Sequence, residues 1–104
     1  MASVWGFKNF KKAVTTAGTR TALQSSVLQV HTAIIKANAA NTGVIYVGDS
    51  SVASTNGYEL SAGEGVAIPL MLMPQTGSAV DLSAIYIDAS VSGEGVSVAY
   101  LTRP

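Results

Sequence analysis

The sequence predicts an all-β protein: a small antiparallel β-sandwich, jelly-roll-like, with an N-terminal arm. Three observations lead there. Val, Ile and Thr fill 27 of the 104 positions, whereas Glu, Lys, Gln and Arg together fill 12. Side chains branched at Cβ lose freedom in a helix and pack well on a pleated surface, so this balance favours strands. Turn-forming residues recur about every eight to twelve positions, the spacing of short strands in a sandwich or barrel. A chain of 104 residues is long enough for one core and too short for two.

The elements follow in order. Residues 1–12 read as an arm set apart from a sandwich over residues 13–104. Trp5, Phe7 and Phe10 are three of the seven aromatic residues, interleaved with Lys8, Lys11 and Lys12. Rings and cations gathered in a terminal segment call for a docking surface, because termini stay poorly ordered unless tied down. Residues 13–24, rich in Thr and Ala with a turn at Gly18, suit a short first strand and a loop. From Val30 to Ala37 apolar and polar residues alternate as in a half-buried strand. Asn41-Thr42-Gly43 is a turn signal, since Asn and Gly tolerate positive φ, and it leads into the strongest strand, residues 44–48. Residues 30–48 therefore read as a hairpin.

Residues 49–56 form a polar loop closed by the turn dipeptide Asn56-Gly57, followed by a short strand at Tyr58–Leu60 and a turn over residues 61–65. Val66, Ile68 and Leu70 share one face of the next strand, which Pro69 confines to an edge or to its own end. Residues 71–79, with Pro74 and Gly77, read as a loop with an apolar root. Residues 85–88 and 96–101 are the last strands, and Ser92-Gly93-Glu94-Gly95 lies between them as a hairpin turn. Two local echoes recur. Ile45-Tyr46-Val47 returns as Ile85-Tyr86-Ile87, and Gly63-Glu64-Gly65-Val66 returns as Gly93-Glu94-Gly95-Val96. The unequal spacings exclude a tandem repeat and point to one turn-and-strand chemistry used twice.

Composition narrows the function. Charged residues make up 12% of the chain against 48% hydrophobic. About 25% charged is usual for a soluble domain, so much of this surface is expected to be covered by partners. The absence of cysteine excludes disulfides, thiolate metal sites and a cysteine nucleophile. His31 is the one histidine, and on a strand among small and branched neighbours it reads as a packed or surface residue. The Gly-Glu-Gly turns lack the lysine and following helix of a phosphate loop and the converging oxygens of a cation site. No nucleophile elbow or paired-carboxylate pocket is apparent, so the chain is expected not to be an enzyme and to need no cofactor or metal. The N-terminus lacks the apolar run of a signal peptide, and no apolar stretch is long enough for a spanning helix, so no membrane partner and cytoplasmic assembly are expected. The zero net charge is a cancellation. Residues 1–36 carry five cations and no acid, and residues 37–104 carry six acids against Arg103. That suits head-to-tail contacts or an acidic partner, and it disfavours nucleic acid as a partner of the body. Tyr46, Tyr58, Tyr86 and Tyr100 read as sandwich side chains with hydroxyls at a rim. Tyr46 and Tyr58, with Met71 and Met73, are candidate interface residues.

A resemblance sharpens this. The block Lys36-Ala37-Asn38-Ala39-Ala40-Asn41-Thr42-Gly43-Val44-Ile45-Tyr46-Val47-Gly48 comes first. Asn56-Gly57-Tyr58-Glu59-Leu60 with Gly63-Glu64 follows, then Asp81-Leu82-Ser83-Ala84-Ile85-Tyr86-Ile87-Asp88-Ala89 with Gly93-Glu94-Gly95-Val96. Together these resemble small β-rich structural proteins from the head modules of tailed bacteriophages, several of which look like capsid cement, or decoration, proteins. The resemblance covers about residues 13–102, and its motifs are turn-and-strand signatures. It implies a homotrimer on the capsid surface of the virion, assembled in the host cytoplasm, that clamps neighbouring major capsid proteins. Trp5, Phe7 and Phe10 would be the anchors, and Lys8, Lys11 and Lys12 would meet acidic groups of the partner. The segment before Ala13 and the stretch 71–77 are additions to that pattern, and both are places where a specific contact can be added. A tail, collar or fibre component is an alternative, as is a module that binds carbohydrate or a host surface.

Overall fold

The computed structural model describes residues 6–68 and 80–102. Ten strands run in chain order: β1 (Gly6–Ala13), β2 (Thr21–Ala22), β3 (Gln29–Val30), β4 (Thr32–Ala37), β5 (Ile45–Gly48), β6 (Tyr58–Leu60), β7 (Gly65–Ile68), β8 (Val80–Asp81), β9 (Tyr86–Ala89) and β10 (Gly95–Thr102). A 3₁₀ turn at Leu82–Ala84 separates β8 from β9. The first sheet has the order β1-β10-β4-β7, the second β2-β9-β5-β6, and β3 pairs with β8 in a small third ladder. Every pairing is antiparallel.

The pairings are nested. β1 pairs with β10, β2 with β9, β3 with β8, β4 with β7 and β5 with β6. The chain is thus one long antiparallel hairpin, folded over so that its arms fall into two sheets. The contacts β10·β4 and β5·β9 close the wrap. Side chains alternate across a strand, so each sheet turns one set of residues inward. Ala33, Ile35 and Ala37 of β4 and Val96, Val98 and Tyr100 of β10 meet Ile45 and Val47 of β5, Leu60 of β6, and Ile87 and Ala89 of β9 in one core. Val14, Leu23, Val30 and Leu82 belong to the same core.

This architecture agrees with the all-β sandwich that composition predicts and corrects several connections. Residues 30–48 are not a hairpin, since β4 lies in the first sheet and β5 in the second. The intervening loop arches between sheets and is pinned to β10: Asn38 N–H and Asn41 Nδ2 both donate to the Gly95 carbonyl, at 3.1 and 2.9 Å. The last two strands are likewise split between sheets, so residues 92–95 form an arch instead of a hairpin turn. Turn residues supply the same backbone geometry to both kinds of connection, so dipeptides alone cannot tell them apart. Among the described residues only β5 and β6 are successive strands that pair directly. The strand that precedes Pro69, β7, does lie at a sheet edge, where a residue without an N–H is tolerated.

The two Gly-Glu-Gly turns are the same device. Glu64 N–H donates to the Ser61 carbonyl at 2.9 Å, while Gly63 N–H donates to the Ala37 carbonyl and Ala37 N–H to the Glu64 carbonyl. At the second turn Glu94 N–H donates to the Val91 carbonyl, Gly93 N–H to the Val14 carbonyl, and Val14 N–H to the Glu94 carbonyl. Gly63 and Gly93 have φ of 83° and 87°, which glycine alone adopts without strain. Each turn locks the end of one strand of the first sheet, β4 or β1, to the start of its partner, β7 or β10.

Candidate functional site

The segment read as an arm separates into two parts. Residues 1–5, including Trp5, lie outside the described residues, as do Met71 and Met73. Residues 6–12 belong to an edge strand of the first sheet, paired with β10 along its whole length, and are not an arm over that span. The reason is register. Alternation turns Lys8, Phe10 and Lys12 toward the face that carries Tyr100, Val98 and Val96, and turns Phe7, Asn9 and Lys11 toward the face of Leu101, Ala99 and Ser97.

This divides the predicted anchors. Phe10 is half-buried, packs against the core and meets the Tyr100 ring edge-on, with centroids 5.9 Å apart and planes at 63°. Phe10 thus packs from the edge strand against the protein's own core. Phe7 is 71% exposed on the opposite face. On that face the ladder places Phe7 beside Leu101, Ala99 beside Ile34, and Ile34 beside Ala67. One row further along, Lys11, Ser97 and Lys36 line up across three strands. The outer face of the first sheet therefore joins an apolar area to two lysines about 10 Å apart, two strand spacings.

Ile34 is 54% exposed, and Ile34 and Lys36 were not among the sequence-level candidates. The signal was present in the pair Ile34-Ile35, because consecutive strand residues face opposite ways and only one of two isoleucines can enter the core. Tyr46 is half-buried on the outer face of the second sheet, where Val52 and the loop over residues 49–57 crowd it. Tyr58 is 60% exposed on β6, the edge of that sheet. The structure does not bring Tyr46 or Tyr58 together with Phe7.

The acidic residues hold the loops. Glu94 accepts from Thr42 N–H at 2.6 Å, Thr42 Oγ1 at 2.9 Å and Gly43 N–H at 2.9 Å. The two backbone donors, chiefly Thr42, hold its carboxyl below the usual range, and partial desolvation opposes them. Asp81 accepts from Ser83 N–H and Oγ and from Leu28 N–H, and its carboxyl is lowered mainly by the Ser83 amide. Asp49 is lowered by the Ser51 hydroxyl at 2.6 Å and then by the Ser51 amide. The buried Asp88 accepts from Gly18 and Ala89 N–H, and Glu64 accepts from Ser61 N–H. Among the described residues Glu59 is the one carboxylate without such a bond. Nor do three His, Asp or Glu side chains among them converge as a metal site requires.

These bonds carry a pH dependence whose sign is fixed. Asp49, Asp81 and Glu94 have folded pKa values below their ordinary 3.8 and 4.5. On acidification the unfolded chain therefore binds protons first, so the stabilisation is complete above about pH 4.5 and is lost as pH falls through the lower folded values. Glu94→Gln is expected to flatten the acid limb of a stability-versus-pH curve measured by urea unfolding between pH 2 and 7. An unchanged curve would show that the Glu94 contacts contribute nothing.

Among the described residues the outer face of the first sheet thus carries both exposed apolar and basic groups, and every carboxylate but Glu59 is committed to backbone. The chain matches no family model, no curated protein and no solved structure.

Proposed function

We propose that this chain is a structural protein of a bacteriophage virion, a capsid cement protein that trimerises on the head and clamps neighbouring major capsid proteins. The observation that carries the reading is the outer face of the first sheet, where exposed Ile34 adjoins Lys36 and exposed Phe7 shares the face with Lys11. Isolated exposed apolar residues are ordinary, but an apolar area rimmed by cations that have no ion-pair partner among the described residues suits a protein contact. The nested pairing supports the reading too. Eight strands in the orders β1-β10-β4-β7 and β2-β9-β5-β6 are compatible with a jelly roll, an architecture of viral capsid domains and of lectins. A sugar-stacking face is less well supported, because Phe7 and Tyr58 expose their rings on different sheets.

The mechanism is mechanical. Burial of apolar surface contributes about 25 cal/mol per Å² before the costs of association. Symmetry repeats each contact, so a trimer that holds several shell subunits at once dissociates far less readily than one copy would. Removing residues 1–12 would strip a whole strand from the first sheet and confuse unfolding with lost docking, so surface substitutions are the better test. The double variant Ile34→Ser, Lys36→Glu is expected to keep its unfolding midpoint and its light-scattering mass. Its copy number on purified capsids should fall at least tenfold, as measured by quantitative gel densitometry. Saturation of capsids by this variant would remove the assignment of the site, and a monomer by light scattering would remove the trimer.

A further inference from the structure

We propose that the free edge of β1 is a strand-addition site for an extended acidic segment of another protein, which joins the first sheet as a fifth strand. The site is made of backbone groups and is independent of the virion reading.

In an antiparallel ladder, successive residues of a strand send their N–H and C=O groups alternately to the two sides. Asn38 N–H donates to the Gly95 carbonyl, so Gly95 faces β4. Val14 N–H donates to the Glu94 carbonyl, so Glu94 faces β1. With the register Phe10↔Val98, Lys8, Phe10 and Lys12 then bond to β10, while Phe7, Asn9 and Lys11 direct their N–H and C=O groups away from the sheet. Among the described residues nothing pairs with that side of β1. The other sheet-edge strands are short: β2 has two residues, β6 three and β7 four, whereas β1 has eight.

Charge selects the occupant. Lys8 and Lys12 lie on one side of β1 and Lys11 on the other, β1 contains no acid, and none of the three has an ion-pair partner among the described residues. Lysines along an edge discourage pairing with neutral or like edges, whereas oppositely charged residues across a strand pair are stabilising. Two copies joined along β1 would bring the lysines of both into neighbouring strands with no acid between them. An acidic strand meets all three lysines, and main-chain bonds supply affinity independent of its side chains.

The test uses the whole protein and an eight-residue synthetic peptide of the repeat Glu-Glu-Thr-Thr, which presents Glu on both faces of a strand. In the free protein the amides of Phe7, Asn9 and Lys11 should exchange with D₂O quickly and those of Lys8, Phe10 and Lys12 slowly. Saturating peptide should slow the first set at least tenfold. A peptide with Lys in place of Glu, and a Glu peptide N-methylated throughout, should each bind at least ten times more weakly. Asn9→Pro removes an outward N–H without touching the ladder to β10, so it should keep its thermal midpoint and lose peptide binding. The triple variant Lys8→Glu, Lys11→Glu, Lys12→Glu should instead prefer the Lys peptide. Equal binding of the Lys or the methylated peptide would overturn the proposal. So would slow exchange at Phe7, Asn9 and Lys11 in the free protein with a concentration-dependent doubling of mass, which would make a second copy the occupant.

Discussion

Alanine at position 95 is expected to lower the stability of the folded chain by about 3 kcal/mol, the upper end of typical overpacking costs. Gly95 is buried where β10 leaves its turn and lies against β1. A Cβ there would overlap the Lys12 carbonyl and approach the Ala13 Cα to 2.6 Å. Both are backbone atoms, so no rotamer change relieves the contact, and β1 must move off β10. The same carbonyl of Gly95 receives bonds from Asn38 and Asn41, so a shift also loosens the arch between β4 and β5. The equivalent glycine of the first turn, Gly65, provides the control. There the nearest backbone atom, the Ile35 carbonyl, would lie 3.2 Å from the new methyl group. Gly65→Ala is expected to cost about 1 kcal/mol or less, since reduced freedom of the unfolded chain offsets part of the crowding. Urea unfolding of the two variants measures the difference. Equal costs would show that the two turns are packed alike, contrary to the register around Gly95.

Ile35→Ala is expected to cost about 3 to 4 kcal/mol, whereas Ile34→Ala at the adjoining position should change stability by less than about 1 kcal/mol. Ile35 is fully buried at the centre of β4, between β10 and β7 and facing the second sheet. Truncation there forfeits the transfer of the lost carbons and leaves a cavity that close-packed neighbours fill only in part. Against a typical total of 5 to 15 kcal/mol, that loss is a large fraction. Ile34 faces outward, so its truncation removes little buried surface. Its effect should appear in partner binding, which makes the pair a direct test of whether exposure at position 34 reflects use. Comparable losses of stability at both positions would mean that Ile34 is covered in the isolated protein.

Much of this fold was legible in the sequence. The strands at residues 32–37, 45–48, 58–60, 86–89 and 95–102 follow from alternation and branched residues, and glycine marks the turns before β7 and β10. The bonds of Asp49 to the Ser51 amide and of Asp88 to the Ala89 amide were also readable, because a short carboxylate reaches nearby backbone, whereas the bond of Asp88 to Gly18, 70 residues away, was not. Three features were not readable. The strand at residues 6–13 carries too few apolar residues to announce itself, since only Phe10 reaches the core and its other side is solvent. The β3·β8 ladder joins two-residue strands fifty positions apart, too short to show a period. The third is the outer face of the first sheet. Phe7, Leu101 and Ile34 come from three strands far apart in sequence, and no local pattern contains them together.

What the sequence determined by itself was the kind of structure: strands, turns and the absence of thiol chemistry. These depend on interactions within a few residues, which composition and alternation record directly. Tertiary structure decided which strands pair, and with it the fate of the basic, aromatic front. Nested antiparallel pairing is long-range, so the same Asn, Gly and Glu turns can close hairpins or arch between sheets, and only packing chooses. That choice made residues 6–13 the edge of a sheet. It packed Phe10 against the core and turned Phe7 outward, and left Lys8, Lys11 and Lys12 along a strand with one side unpaired among the described residues.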